Sequence, residues 1–418
     1  MSRIVLACWG SLGDLFPYLA IATELRARGH VPVVVSCPIY RAMVEAEGLA
    51  FAPLRPDVRP DDTALLKTLM DPQRGSEAII RELVVAALRQ SCDDIAAAVA
   101  GADLVVSHPL TFAAPLVAEQ RGLPWLASVL APMSFFSRHD FPLLPNAPQL
   151  ATLTRRSRWV AGSVMAVARR ITRRWVAPVV ALRAELGLPA AGDPLYEGQF
   201  SAQGTLALFS TALGTPQADW PARTVVTGFP FFNRAIPMPS DLAAFLDAGP
   251  APVVFTLGSA AVNAAGSFYD ESAAAVATLG VRAVMLTGRD PGNVPKTLPP
   301  NVLAVGSAPH DLLFPRASVV VHQGGVGTTG QVMRSGRPQL VVPHAHDQFD
   351  NADRVRRHGA ARVVAAARYT ASRAGSAIRA LIDDPAYARN ADAIAMTVRS
   401  EDGAARAATL LVDALTRR

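Results

Sequence analysis

Short β-branched runs alternate with amphipathic stretches along the whole chain. Residues 3–8, 31–36, 51–54, 103–107, 125–129, 206–209 and 224–226 read as strands of the first half. Their near-continuous apolar character is that of parallel strands covered on both faces. Between the first two, residues 16–28 read as a helix, with Leu15, Leu19, Ala22 and Leu25 on one stripe and Gly29 as a left-handed stop. Further helices are expected near 39–47, 76–99 and 112–121, and residues 55–75 read as a loop rich in Pro, Asp and Arg. The same grammar restarts with strands at 253–257, 282–286, 302–305, 318–321, 339–342 and 362–364 and helices at 267–279, 310–314, 326–335 and 348–358. From 371 on the chain reads as helical, broken near Pro385 and Gly403. Strand–helix–strand repetition predicts an α/β protein with right-handed crossovers. Two doubly wound sheets fit 418 residues better than one. The boundaries expected are a first domain over 1–228, a linker over 229–252 where periodicity fails, a second domain over 253–400 and a terminal helix over 401–418.

Composition narrows the class. With 50% hydrophobic and 18% charged residues, the chain is globular. No apolar run has the length of a membrane span, and the start reads as a first strand, not a secretory signal. Cys8, Cys37 and Cys92 have no metal-binding spacing, so a reduced, cytoplasmic setting is expected. The net charge of +6 is almost all arginine, Lys67 and Lys296 being the only lysines. No aromatic-interleaved basic stripe accompanies it, and no nucleic-acid partner is expected. One segment stands apart: Val160, Val164, Val167, Ile171 and Trp175 fall at helical spacing among Arg155, Arg156, Arg158, Arg169, Arg170, Arg173 and Arg174, with no acid. Two readings stay open, a helix with a solvated basic face and a peripheral contact of residues 155–174 with an anionic membrane surface.

The candidate chemistry centres on His322-Gln-Gly-Gly-Val-Gly-Thr-Thr-Gly-Gln331, a glycine-rich turn between a strand and a helix. The first amides of such a helix lack internal partners and carry the positive end of its dipole, so a phosphate is expected there. Gly325 and Gly327 let the backbone approach it; Thr328 and Thr329 add hydroxyls, and His322 at the strand tip is expected to donate to a phosphoryl oxygen. After one more strand comes Pro343-His-Ala-His-Asp347-Gln348, whose carboxylate and amide match sugar hydroxyls, with Asn351 one turn on to steady the loop. Ser259, at the end of another strand, is a further phosphate candidate.

Together these two segments resemble the donor signature of the family-one, GT-B nucleotide-sugar glycosyltransferases, and most of all the bacterial rhamnosyltransferase and sterol-glucosyltransferase types. Those read His-(His/Gln)-Gly-Gly-x-Gly-Thr-Thr and then Pro-x-x-x-Asp-Gln. The resemblance implies two Rossmann-like domains facing across a cleft, nucleotide sugar on the second and acceptor on the first. It implies base recognition by backbone near Ala308, a final helix that returns to the first domain, and no cofactor or metal. It also implies an inverting transfer from a UDP- or dTDP-sugar to a hydroxyl of a hydrophobic small molecule, such as a lipid hydroxy acid, terpenoid, sterol, polyketide or flavonoid. Gly10-Ser-Leu-Gly-Asp14 is the form that bacterial relatives carry after strand one, which makes Asp14 the general base, although the same residue would serve as a helix N-cap. Ser11, His108, Phe135 and His139 are the acceptor-side candidates. A non-catalytic nucleotide-sugar-binding helper and a sugar-nucleotide epimerase are the competing classes. The first glycine loop lacks the Gly-x-Gly-x-x-Gly form of a dinucleotide enzyme.

Overall fold

A computed structural model describes residues 1–59, 62–145, 148–234 and 236–416. The chain forms two compact units, one from residues 1–62, 73–232 and 401–418, the other from 63–72 and 233–400. Each holds one sheet, and every strand pairing described is parallel.

In the first unit the strands are β1 (Arg3–Ala7), β2 (Val31–Ser36), β3 (Ala50–Pro53), β4 (Leu104–Ser107), β5 (Trp125–Val129), β6 (Thr205–Ala207) and β7 (Thr224–Val226), in the order β3-β2-β1-β4-β5-β6-β7. The order turns back between β1 and β4, the switch point at which open α/β sheets bind ligands. The helix after β1 spans Leu12–Ala27 and buries Leu15, Tyr18, Leu19, Ile21 and Leu25. It ends at Gly29, whose φ of 81° is the left-handed conformation expected of it. The helix Gly403–Thr416 lies against it, tied by Arg28 to Thr409 Oγ1 at 2.8 Å and to the Ala405 carbonyl at 3.0 Å. Gly403 sits so close to the Gly228 carbonyl that no Cβ fits there.

The second unit contains β8 (Val253–Thr256), β9 (Ala283–Leu286), β10 (Val302–Val305), β11 (Val319–His322), β12 (Gln339–Val341) and β13 (Ala361–Val363), ordered β10-β9-β8-β11-β12-β13. Its switch point lies between β8 and β11. Val253, Phe255, Val319 and Val321 pack on one face of this sheet, and Val254, Val284 and Val320 on the other.

Several expectations need correction. The helix expected from residue 16 begins at Leu12, so Asp14 lies inside its first turn. The single helix expected over 76–99 is a π-helical turn, Ala78–Val85, followed by Leu88–Ala98. The basic segment breaks at Ser157, whose extended backbone (φ −140°, ψ 113°) separates Ala151–Arg156 from Arg158–Thr172. The expected loop 55–75 contains a helix, Thr63–Leu69, grouped with the second unit. The segment expected as linker carries the helix Ser240–Asp247, whose Leu242 and Leu246 join the second unit's core. Residues 417 and 418, at the end of the expected terminal helix, lie outside the described residues.

Candidate active site

In the first unit Ser11, Asp14 and His108 come together, and in the second the glycine turn and the Asp347 loop do. In the first unit, Ser11 caps the helix Leu12–Ala27, and its hydroxyl accepts from the Gly13 amide at 3.2 Å. Asp14, three residues on, closes a capping box. Its Oδ2 accepts from the Ser11 amide at 2.7 Å and from the Ser11 hydroxyl at 3.0 Å. Gly10, at φ 140°, leaves the space this carboxylate fills, since a Cβ there would strike Oδ2.

The second oxygen, Oδ1, faces His108 Nε2 at 3.4 Å. His108 follows β4 and is buried; its Nδ1 accepts from the Leu110 amide at 3.1 Å. That bond fixes the tautomer: the ring proton is on Nε2, directed at Asp14. Asp14 keeps 33% of its side-chain surface. Burial pushes its carboxyl upward, but the His108 contact and the two Ser11 bonds outweigh this and hold it below its ordinary value. Asp14 is thus an ionised, oriented acceptor.

The other acceptor-side candidates separate. Phe135 is buried, stacked on Trp220 at 4.0 Å between ring centroids and on Phe200 at 5.6 Å, which corrects its expected role: it is core. His139 is exposed, and its amide bonds the Ser137 hydroxyl; nothing joins it to Asp14. A chamber of about 290 Å³ lies beside His108, walled by Phe112, Pro115, Leu116, Val179 and Ala184 with Thr111 and Arg183 among its polar side chains; Asp14 and Ser11 are not in its wall.

In the second unit, the helix Val326–Ser335 starts from Gly325, which offers no side-chain cap. The first internal bond runs from the Thr329 amide to the Gly325 carbonyl at 2.9 Å, so the amides of Val326, Gly327 and Thr328 come before the helical ladder. Gln323 lies in the space left by Gly258 and Gly325, 3.5 Å from Thr328 Oγ1, and its carbonyl oxygen is buried without a partner. The Thr329 hydroxyl is likewise buried and unpartnered, which sets it back from the helix mouth. Ser259 is exposed in the short helix Gly258–Ala261, and Ala308 is half-buried ahead of His310. His310 does not cap its helix; it stacks on Phe314 at 4.3 Å.

The role expected of His322 is corrected. The side chain is fully buried; Nδ1 accepts from the Gly324 amide at 3.1 Å and Nε2 donates to Gln339 Oε1 at 2.9 Å. Burial lowers its pKa to about 4, so the ring is neutral and has no donor left for a phosphate. It sets the glycine turn instead.

The two second-unit motifs are bound together by Asn351. Its Nδ2 donates to the Gly324 carbonyl at 3.0 Å and to Asp347 Oδ2 at 2.7 Å. Gly324, at φ 89°, allows this approach: a Cβ would lie 2.9 Å from the Gln348 carbonyl. The Gln348 Oε1 accepts from the His344 and Ala345 amides at 2.8 and 3.1 Å, which turns its NH2 group away from the loop backbone. Two contributors were not legible in the sequence. Gln323 stands at the His/Gln position of the motif, where the sequence does not show that its side chain fills the space left by Gly258 and Gly325. His346, at φ 55°, reaches the Leu69 carbonyl at 2.8 Å, a contact between positions far apart in the chain.

Known proteins share this arrangement of sequence. Residues 4–135 match the profile of the glycosyltransferase family 28 N-terminal domain, and residues 273–413 that of the erythromycin biosynthesis protein CIII-like C-terminal domain. The O-mycaminosyltylonolide 6-deoxyallosyltransferase of Streptomyces fradiae is 33% identical over 425 residues, covering 98% of this chain and 96% of its own. The vancomycin aglycone glucosyltransferase of Amycolatopsis orientalis is 29% identical over 420 residues, covering 99% of this chain and 98% of its own. Among solved structures, the glycotransferase of kitacinnamycin aligns with a TM-score of 0.68 at 26% identity, over 99% of this chain and 98% of its own.

Proposed function

Because this chain belongs to the family-one GT-B glycosyltransferases, we propose that it moves a hexose or deoxyhexose from a UDP- or dTDP-sugar to a hydroxyl of a hydrophobic small molecule, with Asp14 as general base. The observation that carries the reading is the Asp14 carboxylate, held at one oxygen by Ser11 and turned by His108 at the other.

The diphosphate is assigned to the amides of Val326, Gly327 and Thr328, with the Thr328 and Ser259 hydroxyls beside it. Negative charge grows on it as the glycosidic bond to phosphate breaks, and fixed dipoles aimed at that charge stabilise the transition state more than the ground state. Such a terminus serves the leaving group without a metal ion. Asp347 and the Gln348 NH2 group are assigned to the sugar hydroxyls, and the backbone at Ala308 to the nucleobase. The acceptor oxygen attacks the anomeric carbon as its proton passes to Asp14 Oδ1, the oxygen with only the longer His108 contact. A carboxylate of lowered pKa is a weak base toward an alcohol, so this proton moves in concert with departure of the diphosphate. One displacement without a protein nucleophile inverts the anomeric centre.

The apolar chamber beside His108 supports a hydrophobic acceptor. The names of the two relatives, a 6-deoxyallosyltransferase and a glucosyltransferase, support hexose and deoxyhexose donors. The test is Asp14→Asn. We expect turnover to fall by roughly a hundredfold to ten-thousandfold, while nucleotide-sugar affinity measured by calorimetry stays within about twofold of wild type, as expected when only a transition-state interaction is lost. Undiminished transfer would remove Asp14 from the reaction, and conversion of the sugar nucleotide without acceptor would point to an epimerase.

A further inference from the structure

The helix Arg158–Thr172 is held to its unit by one face. Ala161 and Met165 pack with Phe141 and Tyr196, and Arg169 pairs with Glu197 while its guanidinium lies 4.3 Å from the centre of the Tyr196 ring. The opposite face is uncovered. Trp159, Val167 and Ile171 are 89, 60 and 51% exposed, at spacings of eight and four residues that place them along one side. Arg156, Arg158, Arg170, Arg173 and Arg174 are exposed around them. No acidic residue occurs from 151 to 178, and Glu197 is already engaged by Arg169. A solvated helix face has no need of an indole; a large aromatic set among unopposed guanidinium groups is the composition of a helix lying in a bilayer interface.

We infer that this face docks the enzyme on an anionic phospholipid surface, Trp159, Val167 and Ile171 entering the headgroup–acyl boundary and the arginines meeting lipid phosphates. Charge complementarity selects this occupant. A second copy seated on the same face would bring two acid-free arginine clusters together, and like charges at close range repel. The docking does not depend on the transfer chemistry, but it would concentrate the enzyme where lipophilic acceptors dissolve.

Flotation of the full chain with vesicles tests this. With phosphatidylcholine containing about a third phosphatidylglycerol, the protein should float with the vesicles, and at least about tenfold less should float with pure phosphatidylcholine, since each arginine near an anionic surface strengthens partitioning about fivefold. Raising salt from about 0.05 to 0.5 M should release it as the screening length shortens. Arg170→Glu with Arg174→Glu should weaken partitioning at least about twentyfold, and Trp159→Ala should weaken it while removing the blue shift of tryptophan emission on binding. All variants should keep wild-type melting temperatures and unchanged transfer to a water-soluble acceptor, which separates this surface from the reaction. Equal binding to neutral vesicles, no binding to either, or a concentration-dependent dimer or a complex with an acidic protein that Trp159→Ala abolishes without any vesicle binding would each overturn the inference.

Discussion

Asp14 takes its chemistry from three neighbours that differ in kind. Gly10 clears the space, Ser11 holds one oxygen, and His108 orients the other through a ring whose remaining nitrogen is committed to the Leu110 amide. Since the folded carboxyl titrates below its ordinary value, which is about 3.9 for an aspartate, kcat/KM should stay level on the acid side down to about pH 4–5. In His108→Ala only the Ser11 bonds still oppose burial, so the acid limb should move upward by about one pH unit and kcat should fall roughly tenfold to a hundredfold, read from pH-rate profiles of both proteins. An acid limb near the ordinary imidazole pKa in the wild type would assign the proton to His108. The motif Gly-Ser-x-Gly-Asp announced this carboxylate, but the sequence could not show which side chain faces it. His322 shows the same limit. Its place at the tip of a strand was legible, and its direction was not: it shares the face of Val320, which packs into the core.

At the scale of elements, the strands were the most legible part, because a parallel strand covered on both faces is a continuous apolar run. Helix ends were less so. The glycines of Gly10-Ser-Leu-Gly-Asp14 read as a loop, yet the helix begins at Leu12 and holds Pro17 in its interior, where the Gly13 carbonyl forgoes its helical donor. Ser157 ends one helix and caps the next, its hydroxyl accepting from the Val160 amide at 3.4 Å, and serine has no composition signal strong enough to announce such a break. The glycine-started helix and the Asp347 loop act as one element through Asn351. Asn351→Ala takes the donor from the buried Gly324 carbonyl and unties the glycine turn from the Asp347 loop. It should cost about 1–3 kcal/mol in urea unfolding and raise the donor dissociation constant by about tenfold, with little change for acceptor. Since main-chain amides are assigned to the leaving diphosphate, extensive dialysis against EDTA should leave the transfer rate within about twofold of the untreated enzyme, and a rate restored only by added Mg²⁺ would refute that assignment.

For the whole molecule, stability should depend on acid through buried imidazole. His322 titrates near 4 in the folded chain and near 6.5 when unfolded. Between those values the unfolded chain binds the extra proton, so stability is complete above about pH 6.5 and declines as pH falls toward 4. The loss from this one group is on the order of 3 kcal/mol. Chemical denaturation from pH 7.5 to 4.5 should show this decline, and His322→Asn should make it shallower while lowering stability throughout, the remainder coming from His310, which burial also lowers to about 4. The two-sheet plan was legible from its repeated grammar, whereas the membership of residues 63–72 in the second unit was not, because nothing local marks a helix that belongs to a distant core. The same discontinuity bears on biosynthesis. The apolar side of Leu12–Ala27 emerges early from the ribosome, but its cover, Gly403–Thr416, is made almost four hundred residues later. The first unit therefore stays incomplete until the second has been translated, and a nascent chain halted at Phe232 should be cut by protease at sites that the released protein conceals.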